Sequence, residues 1–201
     1  SGTMGAAREA GLYGMQSIAS SLTAFDSEGM QAAVDATVQV IEYALEILPD
    51  QPTNLRRPNA DLAKSHVSRW PKIDGTPAWA DNPREALRAA FNHGDLMINI
   101  NTPPDWNGQF QTTRLGMRWY RDAISFAEHD NNESTATFTI GAASIDHTPV
   151  LNSDCDAVMG GTSSISCLPT WPQTHPLAVD DGLLKWCLES SVDNYPSWLN
   201  I

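Results

Sequence analysis

The sequence predicts an α+β fold: an N-terminal amphipathic helix or helical hairpin packed on a small antiparallel sheet, with long irregular loops and a C-terminal helix. Three observations predict it. Helical periodicity dominates residues 5–48, proline-rich irregular sequence follows, and strand-like segments occur only after residue 95. Helices separated from strands along the chain favour α+β over an alternating α/β fold. The 201 residues predict one domain over 1–201, with a helical N-terminal segment (1–48) and a mixed α+β body (49–201).

The N-terminal segment carries the strongest helical pattern. Asp26 or Ser27 is suited to cap a helix. Apolar residues then recur at steps of three and four, which predicts an inward-facing stripe, and polar and acidic residues recur on another face. The apolar stripe comprises Met30, Val34, Val38, Ile41, Leu45 and Leu48. An earlier helix through Leu12, Ile18 and Phe25 would complete a hairpin, although glycines weaken it.

The body contains shorter elements with clear boundaries. Asn82-Pro83 begins a helix that ends near Gly94. Residues 96–100 (LMINI) and 134–145 (STATFTIGAASI) predict strands, because β-branched and other apolar residues dominate them. Residues 109–128 fit either a strand or a helix. Asp180-Asp181 caps a last helix to about Glu189, and the apolar tail after it predicts a C-terminus that packs on the body.

Charge and motifs exclude several classes of function. The formal net charge is -12 with few clustered basic residues, so we expect no nucleic-acid partner. No apolar run is long enough to span a bilayer. The sequence lacks a Gly-x-Gly-x-x-Gly or Walker loop and a Gly-x-Ser-x-Gly nucleophile turn. We therefore predict no cofactor, and no catalytic motif indicates an enzyme.

Cys155 and Cys167 bracket a glycine-rich segment, CDAVMGGTSSISC. A disulfide between them would close a loop of a length that contributes about 3 kcal/mol, and it would indicate an oxidising compartment. The pairing of Cys167 with Cys187 is the competing interpretation, with Cys187 otherwise a buried free thiol. The cysteines therefore predict an extracytoplasmic protein, secreted or at the cell surface. No Cys-x-x-Cys spacing indicates a zinc site.

Histidines next to acidic residues provide the alternative, enzymatic interpretation. Imidazole and carboxylate groups hold hydrolytic metal centres, and they also serve as a general base with its orienting partner. Without a His-Glu-x-x-His motif, turn polarity explains these pairs equally well, so we predict no metal site. If these segments converge, they would form the active site of a hydrolase, metal-dependent or not. The candidate catalytic residues are His93, Asp95, Glu128, His129, Asp146 and His147.

The function predicted from these features is an extracytoplasmic structural or adhesive subunit, which assembles or recognises a partner through its helix face and its cysteine-bounded loop. Trp106 and Trp171 lie in loops and are the candidate binding residues, because loop aromatics stack on sugars or anchor proteins. The partner would be a protein, a glycan or a second copy of the chain. The order of elements is similar in outline to the soluble part of a type IV pilin. A hydrolase and a small secreted effector or toxin are the alternatives.

Overall fold

The computed structural model describes residues 2–24, 26–48, 79–121, 124–126, 138–140, 144–175 and 177–200. The helices in these ranges are α1 (Gly2–Leu12), α2 (Met30–Glu46), α3 (Pro83–Asn92), α4 (Asp154–Met159) and α5 (Asp181–Glu189). The strands are β1 (Ile18–Leu22), β2 (Leu96–Thr102), β3 (Phe110–Thr113), β4 (Met117–Arg121), β5 (Ile124–Phe126), β6 (Phe138–Ile140), β7 (Ser144–Thr148), β8 (Ser163–Pro169), β9 (Ser191–Val192) and β10 (Tyr195–Pro196).

The central sheet has four strands in the order β1-β2-β8-β3. β1 pairs with β2 in parallel, β3 pairs with β8 in parallel, and only β2 and β8 are antiparallel. The fold is therefore mixed α/β, with a mostly parallel central sheet plus helices. The prediction of a small antiparallel sheet is therefore wrong for the central sheet. Antiparallel pairing occurs in the two-stranded ladders β4–β7, β5–β6 and β9–β10.

The predicted N-terminal helical hairpin is also wrong, because β1 lies between α1 and α2. The first helix ends at Leu12, and Gly14 adopts a positive φ of 86°, which breaks the helical path at low cost. Each of the five residues from Ile18 to Leu22 is then paired in register with β2. Tertiary pairing has thus turned a weakly helical sequence into a parallel strand.

Helix α2 forms where the periodicity predicts it, but it buries a different face. It begins at Met30 after Gly29, not at Asp26 or Ser27. Five of the six apolar side chains predicted to face inward are instead exposed, for example Leu45 at 60% and Met30 at 51%, and the sixth, Leu48, packs against the core. Small residues on the neighbouring face allow α2 to approach the sheet closely. The buried residues of α2 are Ala33, Ala36, Val40 and Ala44.

The cysteine-bracketed segment is not a flexible loop. Cys155 lies in α4, and Cys167 lies in β8, between β2 and β3. Gly161 adopts a positive φ of 76° in the turn that joins the two elements. All three cysteines of the chain are free thiols, so neither the predicted Cys155–Cys167 disulfide nor the competing Cys167–Cys187 disulfide is present.

Other predicted elements are confirmed. In α3, the Asn82 side chain accepts a hydrogen bond from the backbone N–H of Glu85, and Gly94 follows the helix with a φ of 72°. The strand at 96–100 and the last helix are present as β2 and α5. Part of the strand predicted at 134–145 lies outside the described residues. The main core lies between the sheet, α2, α3, α5 and the C-terminal tail.

Candidate functional site

A pocket of about 520 Å³ opens where β1 and β2 end. Leu22 is the last residue of β1, and Asn101 is the penultimate residue of β2. The parallel pairing of these strands places both carboxyl ends at the same edge of the sheet. The opposite wall consists of the β3–β4 connection, the start of β4 and helix α4. The lining residues are Leu22, Thr23, Ala24, Asn101, Leu115, Gly116, Arg118, Asp154, Cys155 and Val158.

Asp154 fixes the shape of this pocket. Its Oδ1 atom accepts hydrogen bonds from the backbone N–H groups of Gly116 (2.6 Å) and Cys155 (2.8 Å). Its Oδ2 atom accepts one from the side-chain amide of Asn101 at 3.2 Å. The carboxylate thus joins helix α4, the β3–β4 connection and the end of β2. Hydrogen bonds to a charged acceptor are stronger than neutral ones, so the two walls are held in a defined relation.

Gly116 is required by the close approach of these walls. A Cβ atom added at this position would lie 2.9 Å from the Cys155 sulfur and 3.0 Å from Asp154 Oδ1. Backbone hydrogen bonds reinforce the same contact: the N–H of Asp154 donates to the Arg114 carbonyl, and the N–H of Arg114 donates to Asn152. Ser153 caps α4 by accepting a hydrogen bond from the backbone N–H of Asp156. The pocket wall is therefore a rigid junction.

The Cys155 thiol in the pocket is held in its neutral form. Its pKa is raised above the usual 9.0, first by burial and then by the charge of Asp154 and a hydrogen bond with it. The positive charge of Arg118 opposes this shift but does not reverse it. Because the thiolate is the nucleophilic form of cysteine, Cys155 is not an activated nucleophile at neutral pH.

This electrostatic setting predicts a pH profile for Cys155. In a variant in which Cys167 and Cys187 are both replaced by alanine, we expect the iodoacetamide reaction of the folded protein to remain slow at pH 7. The rate should keep rising beyond pH 9, because the folded-state pKa lies above that value. Free cysteine measured in parallel should reach half of its maximal rate near its own pKa, about 8.5, and level off above it. A plateau for Cys155 below pH 8 would contradict the neutral thiol.

The structure places two of the three histidine–acid pairs predicted from the sequence, and these two lie in different elements. His93 and Asp95 precede β2, at the sheet edge opposite the pocket. Asp95 is fully buried and accepts a hydrogen bond from the Trp171 indole at 2.8 Å. Asp146 lies on β7, in the two-stranded ladder with β4 and not in the central sheet. Glu128 and His129 lie outside the described residues.

His147 contacts an acid that the sequence analysis did not select. Its Nε2 atom lies 2.6 Å from Asp156 Oδ1 on helix α4. Hydrogen bonds with His147 first, and then with Ser153, lower the pKa of Asp156 below its usual 3.8. Because folding lowers this pKa, the Asp156 carboxylate stabilises the folded protein at pH values above its pKa in the unfolded state. This stabilisation is lost as the pH falls through its pKa in the folded state. Within the described ranges, no group of three or more His, Cys, Asp or Glu side chains is placed to hold a metal ion.

The two candidate binding tryptophans have contacts within the protein. The Trp106 indole donates to the Gln109 carbonyl at 2.7 Å, and its ring packs edge-on against Phe110. The Trp171 ring stacks on His175 with centroids 4.2 Å apart. Both are partly exposed, and their role in binding stays a prediction. The pocket residues Asn101, Arg118 and Asp154 were missed, although an Asn near the carboxyl end of an apolar strand is a usable signal.

Comparisons with known proteins identify a family. The sequence model of the family described as SurE, survival protein SurE, matches residues 1–122. Among solved structures, the crystal structure of the SurE protein from Aquifex aeolicus is similar at 18% sequence identity and a TM-score of 0.42. The similarity covers 87% of this chain and 53% of that one, so this chain spans about half the length of that protein. A comparison with curated proteins found no match.

The family match corrects the predicted function and location. The match is to the SurE family, so the prediction of a secreted adhesive subunit with a pilin-like outline is wrong, as is that of a secreted effector. The extracytoplasmic location depended on a disulfide between Cys155 and Cys167, and both thiols are free. In the part of the chain that the structure describes, no helix has the length and apolar character to cross a membrane.

Proposed function

The chain belongs to the SurE family, and we propose on this premise that it is a phosphatase that hydrolyses phosphate monoesters. The family is one of phosphatases, and the family match is the observation that carries the proposal. The chain spans about half the length of the solved SurE protein, so the activity is proposed for the protein as a whole. This chain would supply the pocket at the carboxyl ends of β1 and β2.

The position of the pocket supports this proposal. Ligands of open α/β sheets bind in crevices outside the carboxyl ends of the strands. The pocket occupies that place beside β1 and β2, and its volume of about 520 Å³ is suited to a small organic phosphate. Asn101 and Arg118 bring hydrogen-bond donors to it, and Leu22, Leu115 and Val158 bring apolar surface.

The chemistry of the lining favours attack by water over attack by cysteine. Phosphoryl transfer depends on positioning and on donors that stabilise the charge of the phosphoryl oxygens. Cys155 is the pocket's thiol, and its raised pKa keeps it protonated. In the proposed reaction, water attacks phosphorus, the bond from phosphorus to the ester oxygen breaks, and the products are an alcohol and inorganic phosphate.

The proposal is tested by the release of inorganic phosphate from p-nitrophenyl phosphate and from a panel of biological phosphomonoesters, with divalent cations added. We expect Asn101→Ala to lower kcat/KM by about tenfold or more, because it removes a donor from the pocket and releases Asp154. Asn107→Ala is the matched control, since Asn107 is exposed and donates to Thr162 outside the pocket.

The control variant should retain kcat/KM within about twofold, as expected for a surface substitution. If the folded wild-type protein released phosphate from no member of the panel, the phosphatase proposal would be wrong. An equal loss of activity in the Asn101 and Asn107 variants would mean that the reaction does not take place in this pocket.

A further inference from the structure

We propose that Cys167 and Cys187 form a two-sulfur binding site for a soft monovalent metal ion, Cu(I), in a second pocket of the chain. The two cysteines are far apart in the sequence, on strand β8 and helix α5. Their thiol groups are nevertheless hydrogen-bonded to each other. Both line a pocket of about 350 Å³, which among the described residues shares only Leu115 with the pocket beside β1 and β2. The proposed site therefore does not depend on the phosphatase function.

The end of strand β3 opens this pocket on one side of β8. Thr113 is the last residue of β3 and pairs with Ser166, so Cys167 is the first residue of β8 beyond the end of β3. On its other side, Cys167 pairs with Ile98 of β2. Cys187 is buried on the inner face of α5, and Cys167 is half-buried. The pocket thus provides the entry path that a buried metal site requires.

The lining of the pocket favours a soft metal ion over a hard one. Thiolate sulfur suits Cu(I), whereas carboxylate oxygen suits Mg²⁺ and Mn²⁺, and structural Zn²⁺ takes four ligands. None of the described lining residues is Asp, Glu or His. In the ranges that the structure describes, no third side chain of a ligating type completes a larger metal group. Two thiolates are a sufficient ligand set for Cu(I), so this pair of cysteines fits that ion.

A buried donor is placed to stabilise the metal-bound form. The Trp198 side chain is fully buried, and its Nε1 atom has no hydrogen-bond partner at conventional geometry within the described part of the chain. This indole acts on the Cys167 sulfur and favours its charged form. Neutral sulfur is a weak acceptor, so the donor is poorly satisfied while Cys167 is a thiol. Because a thiolate accepts stronger hydrogen bonds, and such bonds tune metal ligands, a bound metal ion would satisfy Trp198.

Cu(I) replaces the protons of the two thiols. The pKa of Cys167 is raised well above its usual 9.0, first by the hydrogen bond with Cys187 and then by burial, while Trp198 opposes the shift. Binding therefore releases protons. Two S–H bonds break, two Cu–S bonds form, two protons leave, and the complex carries one negative charge. No electron is transferred. The bound ion would link α5 to strand β8 of the central sheet.

The experiment measures Cu(I) binding to the full chain under anaerobic conditions, by competition with bicinchoninate, whose Cu(I) complex is coloured. We expect one equivalent of Cu(I) per wild-type chain and the loss of this binding in Cys167→Ser and in Cys187→Ser. Cys155→Ser is the matched control and should retain the wild-type stoichiometry, because Cys155 lies in the other pocket. Trp198→Phe keeps both sulfurs and should weaken Cu(I) affinity about tenfold. Circular dichroism establishes that each variant is folded.

X-ray absorption at copper in the loaded wild type keeps the test decisive if a serine variant does not fold. Two sulfur neighbours support the site, and nitrogen or oxygen neighbours in their place overturn it. A wild type that takes no Cu(I) from bicinchoninate overturns it, as does wild-type affinity in folded Cys167→Ser or Cys187→Ser. An equal loss in Cys155→Ser overturns it as well, because no single pair of cysteines would then hold the ion. Unchanged affinity in Trp198→Phe overturns the role of the indole.

Discussion

Replacement of Gly94 by alanine is expected to destabilise the protein by about 2–5 kcal/mol, from backbone strain and overpacking together. Gly94 has a φ of 72°, in the region that disfavours residues with a Cβ atom. An added Cβ would lie 2.7 Å from the Gly11 carbonyl oxygen and 2.9 Å from backbone atoms of Gly14 and Met15. All three contacts are backbone, so no side chain can move aside.

Gly5→Ala is the matched control for this substitution. Gly5 is exposed within α1, and an added Cβ would meet no atom within 4 Å. Alanine at an exposed helical position should stabilise the fold by about 0.5–1 kcal/mol. Urea unfolding monitored by tryptophan fluorescence gives both values. If Gly94→Ala unfolded at the wild-type urea concentration, the close packing of the α1–β1 connection against the α3–β2 turn would be wrong.

Gly94 also illustrates which elements the sequence could predict. Helices α3 and α5 have capping residues that act over two or three positions, so their boundaries can be read locally. Asn82 accepts a hydrogen bond from Glu85, and Asp180 accepts one from Gly182. The C-terminal tail was predicted to pack on the body, and Trp198 and Leu199 are fully buried. Local signals were sufficient for these elements.

Apart from β2, the central sheet could not be predicted in this way, because many of its polar residues are buried. Strand β8 reads SSISCLP and resembles a loop, yet Ser163, Ser164 and Ser166 are fully buried in it. Ser166 exchanges a hydrogen bond with Thr113 of β3, and Ser163 with Thr102 of β2. These hydroxyl pairs form only when distant strands meet, so hydropathy along the chain does not reveal them.

The prediction of which face of α2 is buried was wrong for a related reason. The periodicity of large apolar residues was real, but alanines on the adjacent face pack on the sheet. A helix can approach a sheet closely through small side chains, and hydropathy gives these little weight. The pocket residues could not be selected from the sequence for the same reason: Asp154 is one of many aspartates, and only its contacts with Gly116 and Asn101 distinguish it.

The second large effect is expected at the C-terminal tail. Trp198→Ala should destabilise the fold by about 3–5 kcal/mol, through lost burial and the cavity that remains. The Trp198 side chain is fully buried, and its ring lies 5.4 Å from that of Phe91 on α3. Arg88 on the same helix donates to the Trp198 carbonyl at 2.9 Å. The tail thus secures α3, which itself packs on the central sheet.

Trp119→Ala is the control, because the Trp119 side chain is 54% exposed on β4 and its removal should change stability by at most about 0.5 kcal/mol. Urea midpoints for the two variants, with unfolding followed by far-UV circular dichroism, give the comparison. Trp198→Phe keeps most of the buried surface and should lie between wild type and Trp198→Ala, so the prediction remains measurable if the alanine variant does not fold. If Trp198→Phe, Trp198→Ala and Trp119→Ala had equal urea midpoints, the Trp198 side chain would contribute no more to stability than an exposed side chain does. That result would contradict the burial of Trp198.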